Sequence, residues 1–223
     1  MKNVNVKQML LKLLFFFLGV WIIQAGVAIY LESNIGSDPF TIFTQGLADI
    51  LGIMPGTANM IITFTFLVII FFVAKHHIFI GTVLAMFTAG PFINLMMTVL
   101  RPFHLEQYNF FIRMVFVAIS CVIIAIGFSL LKSTDLGVAP NDIIPFILAD
   151  KAKKSYSVVR MCIDATFLIL GFFLGGVVGV GTVIAALLTG PLIQFFMPKI
   201  EAVSHKIIYS EDELAERKKN AQA

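Results

Sequence analysis

Arg160 and Asp164 stand four residues apart inside an otherwise apolar stretch, so on a helix they share one face. An ionisable residue within a membrane-crossing segment is costly, and where one persists it marks an ion path, a coupling site or a structural clamp. Two readings fit this pair. Asp164 serves as a proton- or ion-coupling group with Arg160 as its counter-charge, or the two neutralise each other as a clamp. Asn141 and Asp142 follow Pro140, and Asp38 precedes Pro39, so both places look like helix starts. Backbone N–H groups at a helix start lack internal partners, and the positive end of the helix dipole suits anionic or strongly polar groups. Asp38 reads as the cap of its own helix. Asn141, Asp142 and Gln45 read as contacts for a ligand or ion, with capping as the simpler alternative.

A second set of polar residues accompanies two near-identical lines, "GTVLAMFTAGPFINLMM" from Gly81 and "GTVIAALLTGPLIQFFM" from Gly181. Proline in a helix removes a backbone donor and clashes with the preceding turn, so Pro91 is expected to free the carbonyl of Phe87, and Pro191 that of Leu187. Asn94 and Gln194 follow three residues later on the same face. Matching Gly/Pro interruptions in two halves of a chain point to the central site of a transporter. The substrate-binding set expected on this ground is Gly90, Pro91, Asn94, Gly190, Pro191 and Gln194, joined by Gln45, Asn141 and Asp142. The competing reading is close helix packing at Gly90 and Gly190, with the amides bonding across helices. No Ser/His/Asp set, H-E-x-x-H or phosphate-cradling loop occurs, so neither catalysis nor a cofactor is expected. The four histidines and two cysteines are scattered, which speaks against a metal. Cys121 and Cys162 both lie in apolar runs and read as small buried hydrophobes.

The elements that carry these residues are membrane spans. The chain is 59% hydrophobic with 23 Phe, more apolar surface than a soluble fold of this size can hide. Six runs approach or pass the ~20 residues needed to cross as helix: 13–31, 57–74, 78–100, 110–131, 157–175 and 178–197. The net charge of +3 comes from Lys and Arg at the ends of these runs and is no nucleic-acid signal. The first run follows Lys2, Lys7 and Lys12 but shows no cleavage site, so it reads as a retained span. Two shorter segments, 39–52 and 140–151, reach only about 20 Å as helices and read as re-entrant or interfacial. The tail from Ser210 has a capping-box pattern at Ser210 and Glu213 and reads as a short solvated helix.

Shifted by about a hundred residues, the chain overlays itself. Gly26 meets Gly127, Gly36 meets Gly137, and Pro39 meets Pro140. "MIITFTFLVIIFF" from Met60 then meets "MCIDATFLILGFF" from Met161, and the two "GT…GP" lines coincide. The expected fold is an all-α membrane protein of six transmembrane helices in two three-helix repeats, each with one short helix. Repeat 1 covers 1–104, repeat 2 covers 105–200, and 201–223 is a cytoplasmic tail. Three spans per half make the repeats inverted; if the short helices cross, the repeats are parallel. Charge counting ties between these, and the shortness and polarity of 39–52 and 140–151 favour the inverted form.

The segments "NIGSDPFTIFTQGLADILGIMPGTANM" and "LGVAPNDIIPFILA", with the paired "GT…GP" helices, resemble the YczE/YyaS/YitT family of bacterial integral membrane proteins, closest to its YczE branch. The similarity covers nearly the whole chain except the tail. Members of that branch commonly carry Pro-Trp-Asp where this chain has Pro39-Phe40-Thr41. The resemblance implies a protein of the bacterial cytoplasmic (inner) membrane and no particular reaction.

The leading expectation is a small secondary-transporter-like protein, with both termini cytoplasmic, moving a small polar or anionic metabolite by alternating access. Gly26, Gly127, Gly90 and Gly190 are its hinge candidates. An accessory or regulatory membrane protein acting through a partner is the alternative, and a passive channel the third. Membrane lipids and a small-molecule substrate are the expected partners, and the chain's small size leaves room for a homodimer.

Overall fold

Pro39, Pro55 and Pro140 each sit in the first turn of a helix, where the missing N–H costs nothing. The computed structural model describes residues 6–209 and is helical throughout. Its eight α-helices among those residues are α1 (Val6–Ser33), α2 (Pro39–Leu51), α3 (Pro55–Ala74), α4 (Ile80–Leu100), α5 (Phe110–Lys132), α6 (Pro140–Ala152), α7 (Tyr156–Phe173) and α8 (Val180–Ile208). Six of them, all but α2 and α6, are long and apolar enough to cross a membrane. The capping pattern expected at Ser210 and Glu213 lies outside the described residues.

Helix α8 passes residue 200 and ends at Ile208, because Ser204 and Ile208 are buried and His205 reaches the Ser133 carbonyl at 3.1 Å. Helices α4 and α8 also stay helical through Pro91, Pro191 and Pro198. A proline deletes one bond of the ladder and bends a helix without having to break it when the flanking turns are intact.

Contacts set the directions of the spans. Gly19 lies against Gly127 and Leu131, and Gly26 against Ser120 and Ile124, so α1 and α5 run antiparallel at the centre. Gly26 and Gly127, the expected hinges, are where these two backbones meet. Helix α4 runs parallel to α1, since Phe16 meets Gly81 while Ala28 and Leu31 pack with Ile93 and Met97. Helix α8 runs parallel to α5, with Cys121 near Ala185 and Ser133 near His205. Helix α3 returns antiparallel to α4 through the short turn at Lys75–His77. One end of the bundle thus carries the connector with Arg101, and the other carries the turn with Lys75.

The short helices lie between these layers. Helix α2 runs alongside α7, with Phe43 stacked on Phe167 and Gly46 against Gly171 and Leu174. Helix α6 packs antiparallel to α7, with Phe146 stacked on Tyr156. Each has thirteen residues, about 20 Å of helix against a hydrocarbon core of ~30 Å.

Two loops interlock the halves. Gly36 and Gly137 adopt φ of 103° and 111°, a conformation that favours glycine. The Gly181 N–H donates to the Ile35 carbonyl, and the Gly81 N–H donates to the Leu136 carbonyl, each at 2.8 Å. In both cases the next residue turns its hydroxyl back on its own helix start. Thr182 Oγ1 accepts the Gly179 N–H at 3.3 Å, and Thr82 Oγ1 accepts the Phe79 N–H at 3.4 Å. The first loop therefore holds the start of the last helix, and the loop after α5 holds the start of α4.

Candidate functional site

The charged residues gather where the two short helices begin. On α7, Arg160 Nε donates to Asp164 Oδ2 at 3.0 Å, the pair foreseen from its four-residue spacing. The same guanidinium donates through Nη1 to Asp142 Oδ1 at 3.2 Å, across to the first turn of α6. Asp38, at the start of α2, lies within electrostatic reach of Arg160, Asp142 and Asp164. It caps its helix as expected, accepting the Thr41 N–H at 3.1 Å and the Thr41 hydroxyl. Beside it, the Ser37 hydroxyl is buried without a hydrogen-bond partner. Leaving such a group unpaired costs about 1–3 kcal/mol.

The cluster is partly exposed. The side chains of Arg160, Asp142 and Asp164 are 33%, 23% and 30% exposed. Thr63, which stands where Asp164 does after the hundred-residue shift, is 2% exposed, and its hydroxyl is spent on the Asn59 and Met60 carbonyls. Asp142 and Asp164 bond the guanidinium and Asp38 lies within electrostatic reach, so carboxylates outnumber the base, while the N-termini of α2 and α6 add roughly half a positive charge each. The site can hold an ammonium group or exchange a proton, and Arg160 can present its fork to a carboxylate only by releasing an aspartate. Among the described residues, no three His, Cys, Asp or Glu side chains form a group able to hold a metal ion.

An aromatic layer closes one side of the cluster. Phe167 lies 5.3 Å from Phe40, 5.4 Å from Phe43 and 6.0 Å from Phe66 between ring centroids. Along α2 this layer falls between Asp38 and Gln45, and along α7 between Asp164 and Gly171. Beyond it, at the Arg101 end, a cavity of about 400 Å³ is lined by Gln45, Asp49, Gly52, Met97 and Arg101 among others. Gln45 also accepts the Val177 N–H at 3.1 Å, tying α2 to the link between α7 and α8.

The two amides of the "GT…GP" helices are not brought together, because α4 packs on α1 and α3 while α8 packs chiefly on α5. Asn94 works as a clamp between α3 and α4. Its Oδ1 accepts the Gly56 N–H at 2.9 Å and its Nδ2 donates to Thr57 Oγ1 at 3.0 Å. Gly90 is buried against Gly56 at the same crossing. Gln194 and Gly190 are exposed, and nothing lies within 4 Å of where a Gly190 Cβ would be. Pro91 and Pro191 also face outward. Asn141 is half-buried beside Asp142. Of the expected site residues, the structure thus gathers Asp142, Arg160 and Asp164, with Asn141 next to them. Gln45 stands on the far side of the aromatic layer.

Sequence reasoning missed that Asp38 and Asp142 approach one arginine. The available signal was the shared Pro39/Pro140 register, which pairs Asp38 with Ala139 and sets Asp142 in the first turn of the matching segment.

The model of a family of unknown function, DUF6198, matches residues 10–198. A Haemophilus influenzae protein, named only as uncharacterized, is 29% identical over 184 residues, 82% of each chain. YyaS of Bacillus subtilis is 26% identical over 192 residues, 86% of this chain and 94% of its own. The membrane protein YczE of the same bacterium is 26% identical over 194 residues, 86% of this chain and 88% of its own. No solved structure matches.

Proposed function

The chain belongs to this family of unknown function, DUF6198, and as one of its multi-pass membrane proteins we propose that it is a small secondary transporter for a polar metabolite bearing an amine. The observation that carries this reading is the meeting of two short helix starts at one ionic cluster, Arg160 with Asp142 and Asp164 and with Asp38 in reach. Half-helices whose ends converge on a polar centre are the usual construction of transporter sites. The surplus of carboxylate favours an ammonium group over the purely anionic metabolite considered from sequence. Asp164 is the coupling group, and Arg160 holds it in place. The chain performs no catalysis in this reading.

The two halves, 1–104 and 105–200, are inverted repeats with α2 and α6 as re-entrant helices. Support comes from the antiparallel α1 and α5, from the matching pairs α1/α4 and α5/α8, and from the reciprocal bonds at Gly81 and Gly181. The Lys75 end faces the cytoplasm of a bacterial inner membrane, with both termini. That end carries Lys75, Lys132, Lys151, Lys153 and Lys154, whereas Arg101 and Arg113 are the bases of the other.

The test is a thermal-shift screen of amines, amino acids and their analogues on detergent-solubilised protein, followed by uptake into vesicles. A stabilising compound should be taken up saturably by wild type, and Asp164→Asn should abolish uptake. If no compound stabilises the protein and vesicles take up none above background, the proposal fails.

A further inference from the structure

The two halves differ at the seam between their last two spans. In the first half, α3 lies on α4: Gly56 is against Gly90, Met60 Cβ would be 3.1 Å from a Gly90 Cβ, and Asn94 bonds Gly56 and Thr57. The hundred-residue shift turns these residues into Ser157, Met161, Val158, Gly190 and Gln194. None of the corresponding contacts is made. Met161 is 71% exposed, Gly190 has empty space before it, and α7 packs on α2 and α6 instead of α8. The reciprocal loop bonds at Gly81 and Gly181 are both intact, so the loops do not share in the difference.

The aromatic layer follows the same asymmetry. Phe40 and Phe43 close the Arg101 side of the cluster, while the shifted positions on α6 are Asn141 and Ile144. The closed seam lies at the N-terminal turn of α3, toward the Arg101 end. The open one lies at the N-terminal turn of α7, toward the Lys75 end, and the ionic cluster is exposed on that helix.

We infer that this is one of two states, open toward the Lys75 end, and that in the other state α7 closes on α8 while α3 leaves α4. In that second state Gly190 receives Ser157 and Met161 at a wider crossing, because a Cβ at Gly56 would overlap the Gly90 carbonyl oxygen in the present seam. Gln194, one methylene longer, accepts the Ser157 N–H as Asn94 now accepts that of Gly56, and Val158 offers no counterpart of the Thr57 hydroxyl. The inference rests on the repeat-based transporter reading and adds to it the two seams that exchange. Small residues at such crossings let backbones meet in either arrangement, and two packings of nearly equal free energy are what a switching element requires.

The experiment uses disulfide cross-linking in native membranes, with Cys121→Ala and Cys162→Ala as background. The pair Thr57→Cys/Asn94→Cys reports the present closed seam, and Val158→Cys/Gln194→Cys reports the other. Both pairs should cross-link. In a chain carrying all four substitutions, locking 158–194 should leave the thiols introduced at positions 57 and 94 open to maleimide. Gly190→Leu fills space that is empty here, so it should melt within a degree or two of wild type yet lower the 158–194 cross-link at least tenfold. The inference is overturned if 57–94 cross-links while 158–194 stays reduced, or if Gly190→Leu leaves the 158–194 yield unchanged. If both pairs form but no solute is taken up, the seams exchange and the transport reading alone fails. If solute is taken up but 158–194 never forms, the exchange alone fails.

Discussion

Arg160 on α7 reaches Asp142 on α6 with Nη1 3.2 Å from Oδ1, although the two residues belong to different helices. Removing one member of such a group leaves the others uncompensated, which in fully buried pairs costs about 3–5 kcal/mol. Here the side chains are partly exposed, so roughly half that is expected for Arg160→Met. The triple variant Arg160→Met/Asp142→Leu/Asp164→Leu should recover most of the melting temperature. It should not recover any ligand-induced shift. A triple variant that melts no higher than Arg160→Met would show that the cluster does not act as one unit.

Gly81 and Gly181 are expected to be equally intolerant of a side chain. A Cβ at Gly81 would stand 2.6 Å from the Leu136 carbonyl oxygen, and one at Gly181 would meet the Gly36 and Ile35 carbonyls. Alanine at either place should cost about 1–3 kcal/mol by overpacking. Gly52, with φ of 64° and nothing within 4 Å, provides the comparison, and Gly52→Ala should cost only ~1 kcal/mol for its backbone conformation. Thermal unfolding of the three variants in one detergent checks the order.

Asn94→Leu and Gln194→Leu should separate clearly. The first strands the buried Gly56 N–H and removes the clamp to Thr57, a loss of about 1–3 kcal/mol. The second changes an exposed side chain and should fall within ~0.5 kcal/mol of wild type. Equal destabilisation would mean that α8 already packs on α7 in the dominant state.

The orientation predicts which loops an impermeant thiol reagent can reach. In intact cells of a Cys162→Ala background, Glu106→Cys in the connector at the Arg101 end should be labelled. Lys153→Cys, between α6 and α7, should react only after the membrane is permeabilised. The opposite pattern would invert the assignment of the two ends.

The six spans were readable from hydropathy because each needs only length and apolar composition, and the Arg160–Asp164 pair because four residues make one helical turn. Asp142 as a partner of Arg160 was not readable, since no local period relates a short helix to the span that follows it. Pro91 and Pro191 drew attention as interruptions, yet they face outward, and the glycine at the start of each of the same lines makes the bond between halves. A span that is apolar all round gives no pattern to tell its lipid face from its protein face. The same limit hid the difference between Asn94 and Gln194, whose sequences are alike and whose neighbours are not.

The reciprocal loop bonds also bear on how the chain is made. The Ile35 carbonyl emerges early from the ribosome, and its partner, the Gly181 N–H, belongs to the last helix. Until that helix inserts, the first loop has a polar group waiting at its tip. A chain truncated after α7 would leave that carbonyl without this partner. The first loop of this protein is therefore complete only when α8 arrives.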